Sequence, residues 1–174
     1  MKIKILIPIY NDWQSVDKVI NKIDNLVKEI NHEFSVIIVN DGSSEIKPDG
    51  FGFSENLHSV QILNIKKNMG HARCIATGLK HIFQNDEFDY IIPMDGDGED
   101  RPEEIKIFID NLSYNPDTTI VGERVKRSEG IIFKLSYSIH KLITFIFTGK
   151  SIKFGNYTFL PQKTVEKLIN DKST

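Results

Sequence analysis

Short, almost wholly apolar runs alternate along this chain with stretches in which apolar residues return every three or four positions. Ile3 to Ile9 is the first run and reads as a buried strand, with Pro8 limiting further ladder pairing. A helix is expected over about 13–30, where Val16, Val19, Ile20, Ile23, Leu26, Val27 and Ile30 line one face and Asn11-Asp12 supply the cap. Phe34 to Asn40 is a continuous β-branched run of the kind found in parallel central strands. A loop over 45–57 separates it from a third strand, Ser59 to Ile65. The next helix, 71–83, carries an inner stripe of Ala72, Ile75, Ala76, Leu79, Ile82 and Phe83. Tyr90 to Met94 is a fourth strand, 103–112 a helix presenting Ile105, Phe108, Ile109 and Leu112, and Thr118 to Val121 a short fifth strand. Beyond it, 131–147 has a helical stripe of Leu135, Ile139, Leu142, Ile143 and Ile146. Phe154 to Leu160 reads as strand or turn, and Pro161 starts a last short helix. This succession predicts an α/β domain with a largely parallel sheet.

The pattern breaks most sharply after the fourth strand. Asp95, Asp97, Glu99 and Asp100 are spaced by Gly96 and Gly98, and four carboxylates in six positions repel one another. A cation among them relieves that repulsion, and oxygen-only ligands favour Mg²⁺ or Mn²⁺. An acidic, Gly-rich turn is also a common solvated loop. An EF-hand is excluded: counting from Asp95, the sixth residue is Asp100 rather than Gly and the twelfth is Lys106 rather than Glu. The second strand ends in Asp41-Gly42-Ser43-Ser44, which places a carboxylate where open α/β sheets bind ligands, although the local sequence alone favours an Asx turn. Gly70 and the free amides at the start of the second long helix are suited to phosphate. Arg73 in that first turn opposes the helix dipole, which favours an external anion.

Composition narrows the choice. The net charge of −2 over 174 residues gives no general basic footprint for nucleic acid. From Arg124 to Lys153, however, seven Lys/Arg face one acid, Glu129, a net of +6, which leaves −8 for the remainder. Such asymmetry fits phosphates or an anionic membrane, and 131–147 is suited to lie in an interface as a peripheral contact. Cys74 is the only cysteine, so a disulfide framework is excluded and a reducing, cytoplasmic location is expected, including the cytoplasmic face of a membrane. The first apolar run is too short for a signal peptide, and no run of eighteen apolar residues is present to form a transmembrane helix. Neither Gly-x-Gly-x-x-Gly nor Gly-x-x-x-x-Gly-Lys-Ser/Thr occurs, and the basic, Gly-rich first loop of a nucleotidyltransferase is absent after Ile7.

Pro8-Ile-Tyr-Asn-Asp12, Val39-Asn-Asp-Gly-Ser43, Asn68-Met-Gly70 with Ala72 and Arg73, and Asp95-Gly-Asp97 together resemble the family 2 glycosyltransferases of the GT-A fold. The likeness is strongest to the dolichyl- or polyprenyl-phosphate glycosyltransferases. Gly122-Glu-Arg124 and Gly155 to Leu160 match more loosely. The resemblance implies an αβα sandwich over 1–174, with a nucleotide-binding half, 1–100, and an acceptor-side half, 101–174. It implies that Pro8, Tyr10, Asp12, Val39 and Asp41 line a nucleoside pocket, and that Asp95 and Gly96 lie against ribose and diphosphate. Asp97 would be the main metal ligand, with Asp95 and Glu99 beside it, and Arg73 and Arg124 would meet phosphate. Asp97 and Arg124 are the catalytic candidates.

The implied reaction is an inverting transfer from a nucleoside-diphosphate sugar. A hydroxyl acceptor needs a general base. After Glu129 the only acids are Glu166 and Asp171, so a lipid phosphate, already an anion, is the expected acceptor. The chain departs from its relatives at Asp12, where Glu is common, at Glu99, where Gln is common, and at Thr158, where Arg is common. Relatives also run longer, which implies a fragment, a minimal form or an inactive one. A non-catalytic nucleotide-sugar-binding module is the alternative.

Overall fold

A computed structural model describes residues 1–112, 116–122 and 157–170. Met1–Ile120 with Asn156–Thr174 forms one compact unit and Val121–Gly155 a second. The first unit contains β1 (Lys2–Ile9), α1 (Trp13–Val27), β2 (Glu33–Asn40), β3 (Ser59–Asn64), α2 (His71–Asn85) and β4 (Tyr90–Pro93). A 3-10 turn, Pro102–Glu104, leads into α3 (Ile105–Leu112), followed by β5 (Ile120–Val121), β6 (Thr158–Pro161) and α4 (Gln162–Asn170).

The strands form one sheet in the order β3-β2-β1-β4-β6-β5. β1 pairs in parallel with β2, from Lys2 against Glu33 to Ile9 against Asn40, and with β4, from Ile3 against Tyr90 to Leu6 against Pro93. β2 and β3 are also parallel, whereas β6 runs antiparallel to β4. Ladder bonds from Met94 N–H to Leu6 O and from Asp41 N–H to Ile9 O extend the strand ends. β4 stops pairing at Leu6, so Pro8, two residues further on, lacks an N–H on a side where no ladder continues. That is why proline is tolerated inside this central strand.

Both faces of β1 are buried, as its continuous apolar run requires. Ile3, Ile5, Ile7 and Ile9 face a core built with Val16, Ile20 and Ile23 of α1. Leu6, with Ile37 and Val39 of β2, faces Cys74, Leu79 and Ile82 of α2. Lys4 shares that second face; its ammonium lies 3.3 Å from the Asp86 carboxylate.

Three details differ from the sequence expectation. α1 ends at Val27, because Glu29 and Ile30 donate to Leu26 and Val27 across tighter three-residue turns; Ile30 still packs on the core. In α2, Ala72 and Ala76 are exposed; the buried residues are Cys74, Gly78, Leu79 and Ile82, with Ile75 and Phe83 of the expected stripe packed partly buried beside them. A Cβ on Gly78 would lie 2.4 Å from Leu6 Cδ1 and 2.9 Å from Val39 Cγ2, so glycine sets how closely α2 approaches the sheet. The final strand pairs antiparallel beside β4, an arrangement that period-two patterning does not specify. No helix among the described residues is long and apolar enough to cross a membrane.

Candidate active site

The carboxyl ends of β1 and β2 are stitched together. Asn11 takes a left-handed conformation, φ 57°, and its side-chain oxygen accepts from the N–H groups of Ser44 (2.8 Å) and Glu45 (3.0 Å). Its own N–H donates to Ser43 Oγ at 2.9 Å. The Trp13 indole N–H donates to Glu45 O at 3.1 Å, and the ring packs edge-on against Phe51. Asn and Asp tolerate this backbone region better than most residues, so the conformation is an inexpensive one for this sequence. The result is a fixed platform from which Tyr10, 52% exposed, projects. Asp12 caps α1, its Oδ1 accepting from Ser15 N–H at 3.3 Å.

The loop after β4 divides its four acids by role. Asp100 is 2% exposed and accepts from Asp95 N–H at 2.7 Å, so it folds the loop back on itself. Asp97 Oδ1 accepts from Glu99 N–H at 2.8 Å, and Gly98 supplies a positive φ of 83°. A Cβ on Gly96 would stand 2.5 Å from Val16 Cγ2 and 3.1 Å from Ile7 Cγ2. Glycine there lets the loop lie flat on β1 and α1. Arg101 O accepts from the Tyr157 hydroxyl at 2.7 Å. Burial first, then the neighbouring Glu104, Asp100 and Glu103 carboxylates, push that phenol far above its ordinary range.

These pieces enclose a cavity of about 420 Å³. It brings together six of the expected site residues: Pro8, Tyr10, Asp12, Asp95, Gly96 and Asp97. Ile9 and Val16 complete the wall with His71, the first residue of α2 and one the sequence reading missed. His71 Nε2 lies 3.3 Å from Asp95 Oδ1. Its signal in the sequence was its place directly after Asn68-Met69-Gly70, at the helix start already read as anion-facing.

Val39, Asp41, Arg73 and Glu99 do not line this cavity. Val39 is fully buried in the sheet, and Arg73 and Glu99 are exposed. Asp41 is only 4% exposed and its two oxygens accept from the N–H groups of Met69 (2.7 Å) and Gly70 (2.9 Å). It thereby braces the entry to α2. Burial, reinforced by the Asp41 carboxylate, pushes the neighbouring Cys74 thiol up to about 12. Arg124, Gly155 and the 131–147 segment lie outside the described residues. A larger recess, about 810 Å³, lies at the amino-terminal edge of the sheet among Lys2, Glu33, Asp86, Glu87 and Asp89. It contains no expected site residue and lies opposite the strand ends where open α/β sheets bind ligands.

Among the described residues, no three His, Cys, Asp or Glu side chains are gathered as a ready-made cation site. Two carboxylates beside an open cavity nonetheless fit Mg²⁺ or Mn²⁺. Mg²⁺ in particular commonly takes one or two carboxylates and completes its shell with water and substrate phosphate.

A six-stranded, mostly parallel sheet with an antiparallel strand inserted beside β4 defines the class: this is a GT-A type fold. The model of glycosyl transferase family 2 matches residues 4–165, and the chain belongs to that family. It is 27% identical over 161 residues to undecaprenyl-phosphate 4-deoxy-4-formamido-L-arabinose transferase of Klebsiella pneumoniae (strain 342). That match covers 90% of this chain and 46% of the relative, so the chain spans about half the length of that protein. Mannosyl-3-phosphoglycerate synthase from Rubrobacter xylanophilus shares the fold with a TM-score of 0.62 at 13% identity, over 94% of this chain and 54% of that one. A mannosyltransferase from Pyrobaculum calidifontis, solved with GDP-Man and Mn²⁺, gives 0.57 at 13% identity over 95% and 46% of the two chains.

Proposed function

We propose that this domain transfers a sugar from a nucleoside-diphosphate sugar to a polyprenyl or dolichyl phosphate, with inversion and with a divalent cation. The observation that carries the reading is the single cavity joining Tyr10 and Asp12 to Asp95, Gly96 and Asp97. One end offers an aromatic face and a carboxylate for a nucleoside; the other offers two carboxylates for a cation and its diphosphate. The family membership and the undecaprenyl-phosphate relative support the same reaction class.

Asp95 and Asp97 would hold Mg²⁺ or Mn²⁺, which when bound neutralises charge on the departing diphosphate. Tyr10 and Asp12 orient the nucleoside, and Asn11 keeps their platform fixed through its bonds to Ser44 and Glu45. Gly96 keeps the floor low enough for the donor to reach both carboxylates. An acceptor phosphate oxygen attacks the anomeric carbon from the face opposite the diphosphate. The carbon–oxygen bond to the diphosphate breaks, and the leaving group takes the electron pair. An acceptor that is already an anion needs no proton removed. Arg124 is assigned to a donor or acceptor phosphate, and 131–147 to peripheral contact at the cytoplasmic face of a membrane.

The test is transfer by purified protein from a panel of nucleoside-diphosphate sugars, with Mn²⁺ or Mg²⁺, to polyprenyl phosphate. Formation of the lipid-linked sugar with release of nucleoside diphosphate is expected. Transfer to simple hydroxyl acceptors but never to the lipid phosphate overturns the acceptor assignment. Donor binding without transfer or hydrolysis makes the domain a nucleotide-sugar-binding module instead.

A further inference from the structure

Two buried tyrosines pack into one aromatic cluster and send their hydroxyls to different places. The Tyr90 ring lies 4.6 Å from that of Phe159, and the Tyr157 ring 5.0 Å from that of Phe108. Phe108 and Phe159 are 5.8 Å apart, which joins the four. The Tyr90 hydroxyl donates to Pro116 O at 3.0 Å, and the Tyr157 hydroxyl to Arg101 O at 2.7 Å. Tyr90 opens β4, at the end of that strand remote from the acidic loop. β6 runs antiparallel to β4, with Ile91 against Leu160, and so brings Tyr157 to the other end, where the loop begins.

Arg101 O is a pivot. It accepts from the Tyr157 hydroxyl and, at 3.0 Å, from Glu104 N–H, which ties the end of the loop to the returning strand and to the turn that opens α3. The preceding residue is Asp100, 2% exposed, whose carboxylate accepts from Asp95 N–H at 2.7 Å. The loop is thus clasped into a ring, and its clasp lies one residue from the point that Tyr157 holds. Asp95, Gly96 and Asp97 of that ring line the cavity, whereas the buried Tyr157 does not.

We propose that Tyr157 is a positioning residue for the donor site: its hydroxyl pins Arg101, keeps the Asp100 clasp closed, and so holds Asp95 and Asp97 in place at the cavity. This inference rests on the glycosyltransferase reading above and adds to it a residue that touches no substrate. A loop that is unclasped part of the time lowers the fraction of protein competent to bind, and apparent affinity falls by that fraction. Bound donor holds the loop closed, so turnover at saturation is retained. Loss of a group that acts only in the transition state has the other signature, a fall in kcat itself.

The experiment sets Tyr157→Phe against Tyr90→Phe, because each keeps its ring and loses one hydroxyl-to-carbonyl bond. The urea midpoint, hydrogen exchange at Asp95 N–H without ligand, donor KM and kcat, and UDP and GDP affinities are measured for both and for the unaltered protein. Both variants are expected to lower the urea midpoint to a similar, small extent. Only Tyr157→Phe is expected to speed exchange at Asp95, raise donor KM and weaken UDP or GDP binding, each by about two- to tenfold, the span of one ordinary hydrogen bond, with kcat unchanged. In the unaltered protein, Asp95 N–H is expected to exchange almost as slowly as Met94 N–H, which is in the ladder to Leu6 O. Exchange at the rate of an open loop overturns the proposal without any variant. Equal effects of the two variants on exchange and KM overturn it too, as does faster exchange with unchanged KM and affinity. If the unaltered protein binds no nucleoside diphosphate and turns over no donor, the glycosyltransferase reading fails instead, and exchange at Asp95 alone decides whether Tyr157 holds the loop.

Discussion

Asp41 and Asp97 both follow a buried parallel strand at its carboxyl end, yet they have opposite surroundings. The Asp41 carboxylate is enclosed, with an N–H on each oxygen. Asp97 is exposed beside the cavity, with one oxygen bonded to the N–H of Glu99. Asp24 and Asp100 resemble Asp41: Asp24 receives the N–H groups of Glu55, Asn56 and Leu57, and Asp100 that of Asp95. Position at a strand end identifies where a ligand binds. The supply of backbone donors separates the carboxylates enclosed in the protein from the one that stands open beside the cavity. Buried carboxylates are retained only when such donors replace water.

Removing the open carboxylate tests one side of this comparison and has the largest expected effect. Asp97→Ala is expected to lower transfer by on the order of 100-fold or more, the scale of losing a group that stabilises charge in the transition state. Thermal stability without ligand should be unchanged, because the side chain is exposed. With donor and Mn²⁺ at 100 times the dissociation constant, the unaltered protein gains about 2.7 kcal/mol. The variant should lose the metal-dependent part of that gain. A full metal-dependent thermal shift in Asp97→Ala removes this carboxylate from the site.

The opposite pattern is expected of Asp41→Ala. Two N–H groups lose their acceptor, a loss of about 2 kcal/mol in a largely buried setting, read as a lowered midpoint in urea. The Cys74 thiol reports the same event. Burial and the Asp41 carboxylate together push its pKa up to about 12, so thiol reagents should label it slowly in the native protein and faster in Asp41→Ala, both because the carboxylate is gone and because the start of α2 opens more often. Unchanged stability with weakened donor binding would move Asp41 from brace to nucleoside contact, the role its motif first implied.

Much of the scaffold was legible because burial on both faces of β1 and β2 leaves a continuous apolar run, and α1 carries a one-sided stripe. The strand-end motifs were legible too, since Tyr10, Asp12, Asp95 and Asp97 meet as their order along an α/β chain requires. What sequence order does not encode is which neighbour a polar group finds. Asp100 looked like a fourth repelling acid and is an internal acceptor. Asn11 looked like a cap and is a staple between two loops, while Gly78, which no pattern in the sequence singles out, sets a helix–sheet distance. His71 was one histidine among five until the fold placed it against Asp95. Each depends on a contact across many residues, beyond the reach of periodicity.

Acid provides the gentlest test, through Asp24. Burial alone would raise this carboxyl, but hydrogen bonds from the Asn56 backbone and side chain, with those from the Glu55 and Leu57 N–H groups, outweigh it and hold the pKa below the usual value. A depressed native pKa means that the unfolded chain binds the proton more readily. The contribution is therefore complete above the unfolded value, about 3.9, and is lost as pH falls through the lower native one. Urea midpoints measured from pH 6 to pH 3 should fall, and Asp24→Asn should flatten part of that slope because an amide binds no proton in this range. The 45–57 loop should loosen first, since three of its consecutive N–H groups rest on this one carboxylate. Hydrogen exchange at Asn56 and Leu57 that speeds up before α1 melts would place the acid sensitivity in this loop. Equal acceleration in both would show that Asp24 supports the whole α1 face, and that the contrast with Asp97 extends beyond a single loop.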